Sequence, residues 1–89
     1  MSHEDTSAEL LQVLCLRVTA EADPGALPRL LANFQQLNVL PRRVTAEFGS
    51  DELLHVRIDV VGVAEARLNT LTAKMGQIPT VISAYWHRL

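Results

Sequence analysis

Residues 42–61 read RRVTAEFGSDELLHVRIDVV. Val44, Ala46 and Phe48 share one face of a period-two pattern; in the next stretch Leu54, Val56, Ile58 and Val60 share one face, against His55, Arg57 and Asp59. Gly49, Ser50 and Asp51 between them are turn formers. Two alternating strands joined so closely form an antiparallel hairpin, and what flanks it on each side decides the fold.

Upstream, LQVLCLRVTAE (11–21) alternates with Leu14, Leu16 and Val18 on one face, which predicts a half-buried strand. Asp23, Pro24 and Gly25 punctuate the chain, and Leu27, Leu30, Leu31, Phe34 and Leu37 recur at helical spacing. Pro28 is tolerated only in a first helical turn, so this helix must begin near Gly25 or Ala26 and runs to about Leu37. Asp23 and Pro24 are left in the approach loop, with several backbone N–H groups free beside them.

Downstream, Gly62 ends the strand, and Ala64, Leu68, Leu71 and Met75 mark a second helix with Gly76 in the C-terminal glycine position. TVISAYWHRL (80–89) then predicts a last strand whose apolar set is Ile82, Ala84 and Trp86. The order strand, helix, strand, strand, helix, strand is the split βαβ of a ferredoxin-like α+β sandwich. Right-handed crossovers put both helices on one face of a four-stranded antiparallel sheet. The other face carries Arg17, Thr45, Glu47, His55, Arg57, Asp59, Ser83 and Tyr85, to be solvated or to meet a partner.

Eighty-nine residues suffice for one such domain, over 10–89, behind a polar stretch MSHEDTSAE (1–9) that is expected to be a disordered tail. Three of the ten acidic residues lie in that stretch, so the formal charge of −2 becomes +1 for the remainder, with the basic residues spread from Arg17 to Arg88. That is no footprint for nucleic acid. Aromatic stacking positions of an RNA reader hold Cys15, Arg17, His55, Arg57 and Asp59 instead. There is no stretch of ~18 apolar residues and no secretory pattern, so a cytoplasmic location and no membrane partner are expected.

Catalytic and metal chemistries lack their residues. His3, His55 and His87 lie in separate segments without ligand spacing, and the single Cys15 allows no thiolate pair. Ser50 and Ser83 have no evident histidine and carboxylate partners, and the loop from Glu21 to Leu27 lacks the arginine that an acyl-phosphate hydrolase needs. No catalytic residue, metal site or cofactor is expected. The remaining feature is that loop itself, where Gly25 leaves the backbone open and a helix N-terminus favours a carboxylate. Asp23 serving only as a helix cap is the competing reading.

At this loop the sequence resembles the ACT domain family. DPGALPRLLANFQQLNV (23–39) is similar to its PGxL segment, helix, and asparagine-hydrophobic pair entering the second strand, and the resemblance extends over about 11–88. It implies a ligand site of Asp23, Gly25, Ala26, Leu27, Asn38 and Val39, with backbone N–H groups meeting an amino acid's carboxylate. Within the family the chain is most similar to the short regulatory subunits of acetolactate synthase. That implies a homodimer with a shared sheet, binding to the thiamine-diphosphate-dependent catalytic subunit in branched-chain amino-acid synthesis, and valine, leucine or isoleucine as ligand. A stand-alone amino-acid sensor for another enzyme or transporter is the alternative. Ala22 stands where relatives often carry Asn or Asp, and Gln36 where a glycine usually precedes the asparagine by two.

Overall fold

A computed structural model describes residues 12–89; the expected tail over 1–9 lies outside the described residues. The elements follow the order read from the sequence: β1 (Val13–Glu21), α1 (Ala26–Gln36), β2 (Arg43–Phe48), β3 (Leu53–Val61), α2 (Glu65–Gly76) and β4 (Val81–Arg88). The strands form one antiparallel sheet in the order β2-β3-β1-β4. This is the ferredoxin-like βαββαβ sandwich.

Leu14, Leu16 and Val18 of β1 and Val56, Ile58 and Val60 of β3 face the helices, where they meet Leu30 and Phe34 of α1 and Leu68, Leu71 and Met75 of α2. Each of these large side chains contributes about 1.5–3 kcal/mol by leaving water. On β4, Trp86 Nε1–H donates to Asn69 Oδ1 at 2.8 Å, while the Arg88 guanidinium lies over the Trp86 ring and pairs with Glu65. These contacts fasten the edge strand β4 to α2.

Several expectations are corrected by register and helix ends. Val44, Ala46 and Phe48 do not enter the core: all six residues of β2 are exposed, because the helices do not reach over that edge. Ile82 is 59% exposed, since the pairing of β1 with β4 shifts register at Thr19/Ala20 and brings Val81 opposite Ala20 and onto the core. A one-residue slip reverses which face a side chain takes. Gly76 is the last helical residue, and Gln77 is the C-cap. The left-handed glycine is Gly62, at φ 72° after β3.

The hairpin turn spans four residues, with Gly49 N–H donating to Leu53 O and Glu52 N–H to Gly49 O, and Glu52 takes φ 63°. At Gly49 a Cβ would stand 2.7 Å from Asp51 Oδ1, so a larger residue there would have to displace that carboxylate. That carboxylate accepts the Leu53 N–H and faces His55 Nε2 at 2.8 Å, in that order of weight the reasons its pKa lies below the usual range.

Candidate ligand-binding and pairing site

The β1–α1 loop leaves the sheet after Glu21 N–H donates to Thr80 O. Ala26 N–H donates to Asp23 O at 2.9 Å and Arg29 N–H to Gly25 O, and Pro28 has no N–H. Among the described residues no acceptor meets the N–H groups of Gly25 and Leu27. With Ala22 and Asp23 N–H likewise without an acceptor, several free donors stand in the approach loop as expected, beside a helix end that favours negative charge. No side chain caps the helix, so Asp23 does not act as its cap. Its carboxylate faces Arg29 at 3.4 Å instead, an exposed pair worth little to stability. Gly25 has an ordinary φ of −82°, so backbone strain does not demand glycine there, and a Cβ would meet the Asp23 carboxylate at 3.1 Å.

At the other end of α1 the backbone closes in a Schellman motif. Asn38 N–H donates to Gln35 O and Val39 N–H to Phe34 O at 2.8 Å, with Asn38 at φ 55°. These two bonds satisfy carbonyls that the helix end would leave open. Arg67 of α2 reaches across and donates to Leu37 O. The left-handed role passes to Asn38, which explains how the chain leaves the helix with Gln36 in place of a glycine. Asn38 and Val39 accordingly terminate α1, and β2 starts only at Arg43, contrary to the expectation that they open the second strand.

Beside this exit runs an apolar groove of about 410 Å³, lined by Leu31, Phe34, Gln35, Val39, Leu40, Pro41 and Val44. Leu40 is 86% exposed at its lip, and Phe48 farther along β2 is 67% exposed. Val39 is buried at its base. Of the residues expected to bind ligand, Asp23, Gly25, Ala26 and Leu27 lie at one end of α1, and Asn38 and Val39 at the other. An 11-residue helix separates them by roughly 16 Å, so one chain does not bring them together.

The helix-free face of the sheet holds the polar residues that the sequence leaves to be solvated or to meet a partner. Asp59 is only 7% exposed there. It lies in register between Arg43 and Cys15, and Arg57 Nε–H donates to its Oδ1 at 3.0 Å. Burial alone would raise this carboxyl, but hydrogen bonds from Arg57 and Cys15 and the charges of Arg57 and Arg43 hold it below its ordinary range. The Cys15 thiol is pushed up, by burial first and then by its bond to Asp59. Arg17 Nε–H donates to His87 Nε2 at 3.2 Å, so the ring proton sits on Nδ1 facing Arg88 O. Strand alternation placed these residues on one face; their partners depend on interstrand register, which no local pattern carries.

Among the described residues no helix is long and apolar enough to cross a membrane. Solved structures share the fold at low identity. The ACT domain from GTP pyrophosphokinase of Chlorobium tepidum matches with a TM-score of 0.72 and 13% identity, over 85% of this chain and 97% of that one. The C-terminal domain of the MgtC protein from Mycobacterium tuberculosis matches at 0.71 and 22%, over 91% and 90%. A homoserine dehydrogenase from Thiobacillus denitrificans matches at 0.73 and 18%, over 91% of this chain but 18% of that enzyme. No curated protein sequence matches. The ACT-like domain model matches residues 7–89, and the chain therefore belongs to the ACT-like domain family, relatives of the regulatory ligand-binding domains found in enzymes of amino-acid metabolism.

Proposed function

We propose that this chain is a non-catalytic regulatory domain that works as a homodimer, joined along β2 and sensing a small amino acid at a site shared by the two copies. The observation that carries this reading is the split of the site between the two ends of α1. β2 runs antiparallel to β3, so Phe48 lies at the end of the sheet where the β1–α1 loop emerges, and Arg43 at the opposite end. A two-fold pairing of β2 edges reverses that direction in the partner. The partner's Asn38 and the partner's Val39 then approach the loop of Gly25 and Leu27, completing a site with N–H donors on one side and an apolar groove on the other. The groove's aliphatic lining suits valine, leucine or isoleucine.

The enzyme we propose for it to regulate is acetolactate synthase, in the cytoplasm, on the strength of DPGALPRLLANFQQLNV. Mixing the chain with that catalytic subunit should give a complex and a higher turnover; no complex at micromolar concentrations would remove this partner. A stand-alone sensor for another enzyme or transporter is the second reading, favoured by the fold's appearance in proteins as unlike as GTP pyrophosphokinase and homoserine dehydrogenase. Calorimetry with the three branched-chain amino acids, with and without the catalytic subunit, separates the two. Gly25→Asp keeps a permitted backbone and sets a carboxylate against the incoming one. Unchanged amino-acid affinity in that variant would refute the shared site.

A further inference from the structure

On the helix-free face, Arg17 of β1 stands directly opposite Arg57 of β3, and the same row continues outward to Thr45 on β2 and Tyr85 on β4. Like charges set directly across a sheet repel and cost stability. Both guanidinium groups are nevertheless held in place, Arg17 by Nε–H donating to His87 Nε2 at 3.2 Å and Arg57 by Nε–H donating to Asp59 Oδ1 at 3.0 Å. Each bond uses only the Nε donor and fixes the plane of the fork. The donors on the terminal nitrogens of both side chains meet no acceptor among the described residues. Asp59 offsets the charge of Arg57, while His87 accepts through a neutral ring nitrogen and leaves the charge of Arg17 in full.

Both arginines line a hollow of about 310 Å³, with Thr45, Glu47, His55 and Tyr85 around them. Adjacent strands lie ~4.8 Å apart, so one anion above the row is within reach of both forks. A planar carboxylate fills one fork, whereas a phosphate monoester brings three oxygens and a charge of about −1.5 to −2, enough for two. The far end of the hollow differs. Glu47 pairs with no cation among the described residues, and His55 is engaged by Asp51 at 2.8 Å. A second phosphate there would face the Glu47 carboxylate, but a hydroxyl group would find an acceptor in it. We propose that this hollow binds a small phosphate monoester with a hydroxyl-bearing body. The phosphate lies between Arg17 and Arg57, flanked by Thr45 and Tyr85, and the body points toward Glu47. The bound dianion offsets the repulsion between the two arginines, so binding also stabilises the fold. The site lies within one chain and requires neither the proposed dimer nor its amino acid.

The experiment titrates the full, isotope-labelled chain with ribose 5-phosphate, inorganic phosphate, ribose and succinate, and follows the amide signals. Ribose 5-phosphate should shift Arg17, Thr45, Glu47, Arg57 and Tyr85; inorganic phosphate should shift the same positions except Glu47 and bind several-fold more weakly; ribose should shift none. Arg17→Gln should weaken ribose 5-phosphate by at least about tenfold through loss of charge-assisted hydrogen bonds. Arg17→Lys, which keeps the charge without the fork, should recover only part of that loss. Glu47→Gln should tighten inorganic phosphate and remove the ester's advantage over it. The proposal is overturned by no shift at millimolar ester, by shifts spread evenly over Arg29, Arg67 and Arg88, or by succinate binding as tightly as phosphate. An ester no tighter than inorganic phosphate, or an affinity unchanged in Arg17→Gln, overturns it equally. Should Arg17→Gln lose its native amide spectrum, Glu47→Gln on the exposed strand β2 decides, since unchanged relative affinities for ester and phosphate there refute the assigned orientation and with it the site.

Discussion

β3 and β2 are neighbours joined by a four-residue turn, and both alternate apolar with polar residues, yet they occupy opposite situations. Val56, Ile58 and Val60 of β3 are at most 3% exposed beneath the helices, whereas Val44 and Phe48 of β2 are 38% and 67% exposed. The difference is made by what lies over each strand and not by the strands themselves. One part of the sheet stabilises the chain; the other leaves an apolar edge whose burial requires something outside the chain.

The largest effect should come from testing that contrast directly. Leu68→Ala, in the covered half, should lose about 3–5 kcal/mol in urea denaturation through lost transfer energy and a cavity. Phe48→Ala should cost under ~1 kcal/mol at low protein concentration, since its ring is mostly in water already. If its cost grows with concentration, β2 is covered by a second copy. Equal, concentration-independent losses for both variants would break the comparison.

The pairing of copies supplies the second test. Val44→Glu with Phe48→Glu should leave thermal stability of the dilute chain nearly unchanged and move sedimentation toward the 9.8 kDa monomer. A wild-type chain that sediments only as monomer would remove the proposed dimer. The exposed positions involved make misfolding of this variant a poor explanation for any shift.

Much of this was legible in sequence because period and punctuation are local. Pro28 located the start of α1, and the stripe from Leu27 to Leu37 located its buried face. What stayed hidden depends on register or on the layer above. The pattern of Val44, Ala46 and Phe48 is the same whether helices cover it or not, and Ile82 reads as inward until the register shift turns it out. Asp59 reads as solvated or facing a partner until Arg43, Cys15 and Arg57 are set around it by three strands. The candidate site was legible as two motifs, but not as two places a helix length apart.

Asp59 yields the third prediction, on acid stability. Its carboxyl is held below its ordinary value in the fold, so its contribution is present above the unfolded value near ~3.9 and is lost as pH falls through the lower folded value. Asp59→Asn should flatten the acid limb of the stability curve over that window and cost about 1–3 kcal/mol at neutral pH, where Arg57 loses its charged acceptor. An unchanged acid limb would show that the buried carboxyl is not preferentially ionised in the fold.

Asn38 gives the smallest effect and the finest distinction, because it stands at the junction of the two halves, ending α1 and opening the path to the exposed edge. Its φ of 55° is tolerated by asparagine and is easy for glycine, but strained for a β-branched residue. Asn38→Val should therefore cost about 1–2 kcal/mol, while Asn38→Gly should stay within ~0.5 kcal/mol, its easier backbone offset by the freer unfolded chain. The glycine variant then separates the two roles of the position. If Asn38 only terminates the helix, Asn38→Gly leaves both stability and amino-acid affinity in place. If its side chain also reaches a ligand bound by the partner's loop, affinity falls while urea stability does not, and the uncovered half of the molecule acquires a function that the covered half cannot supply.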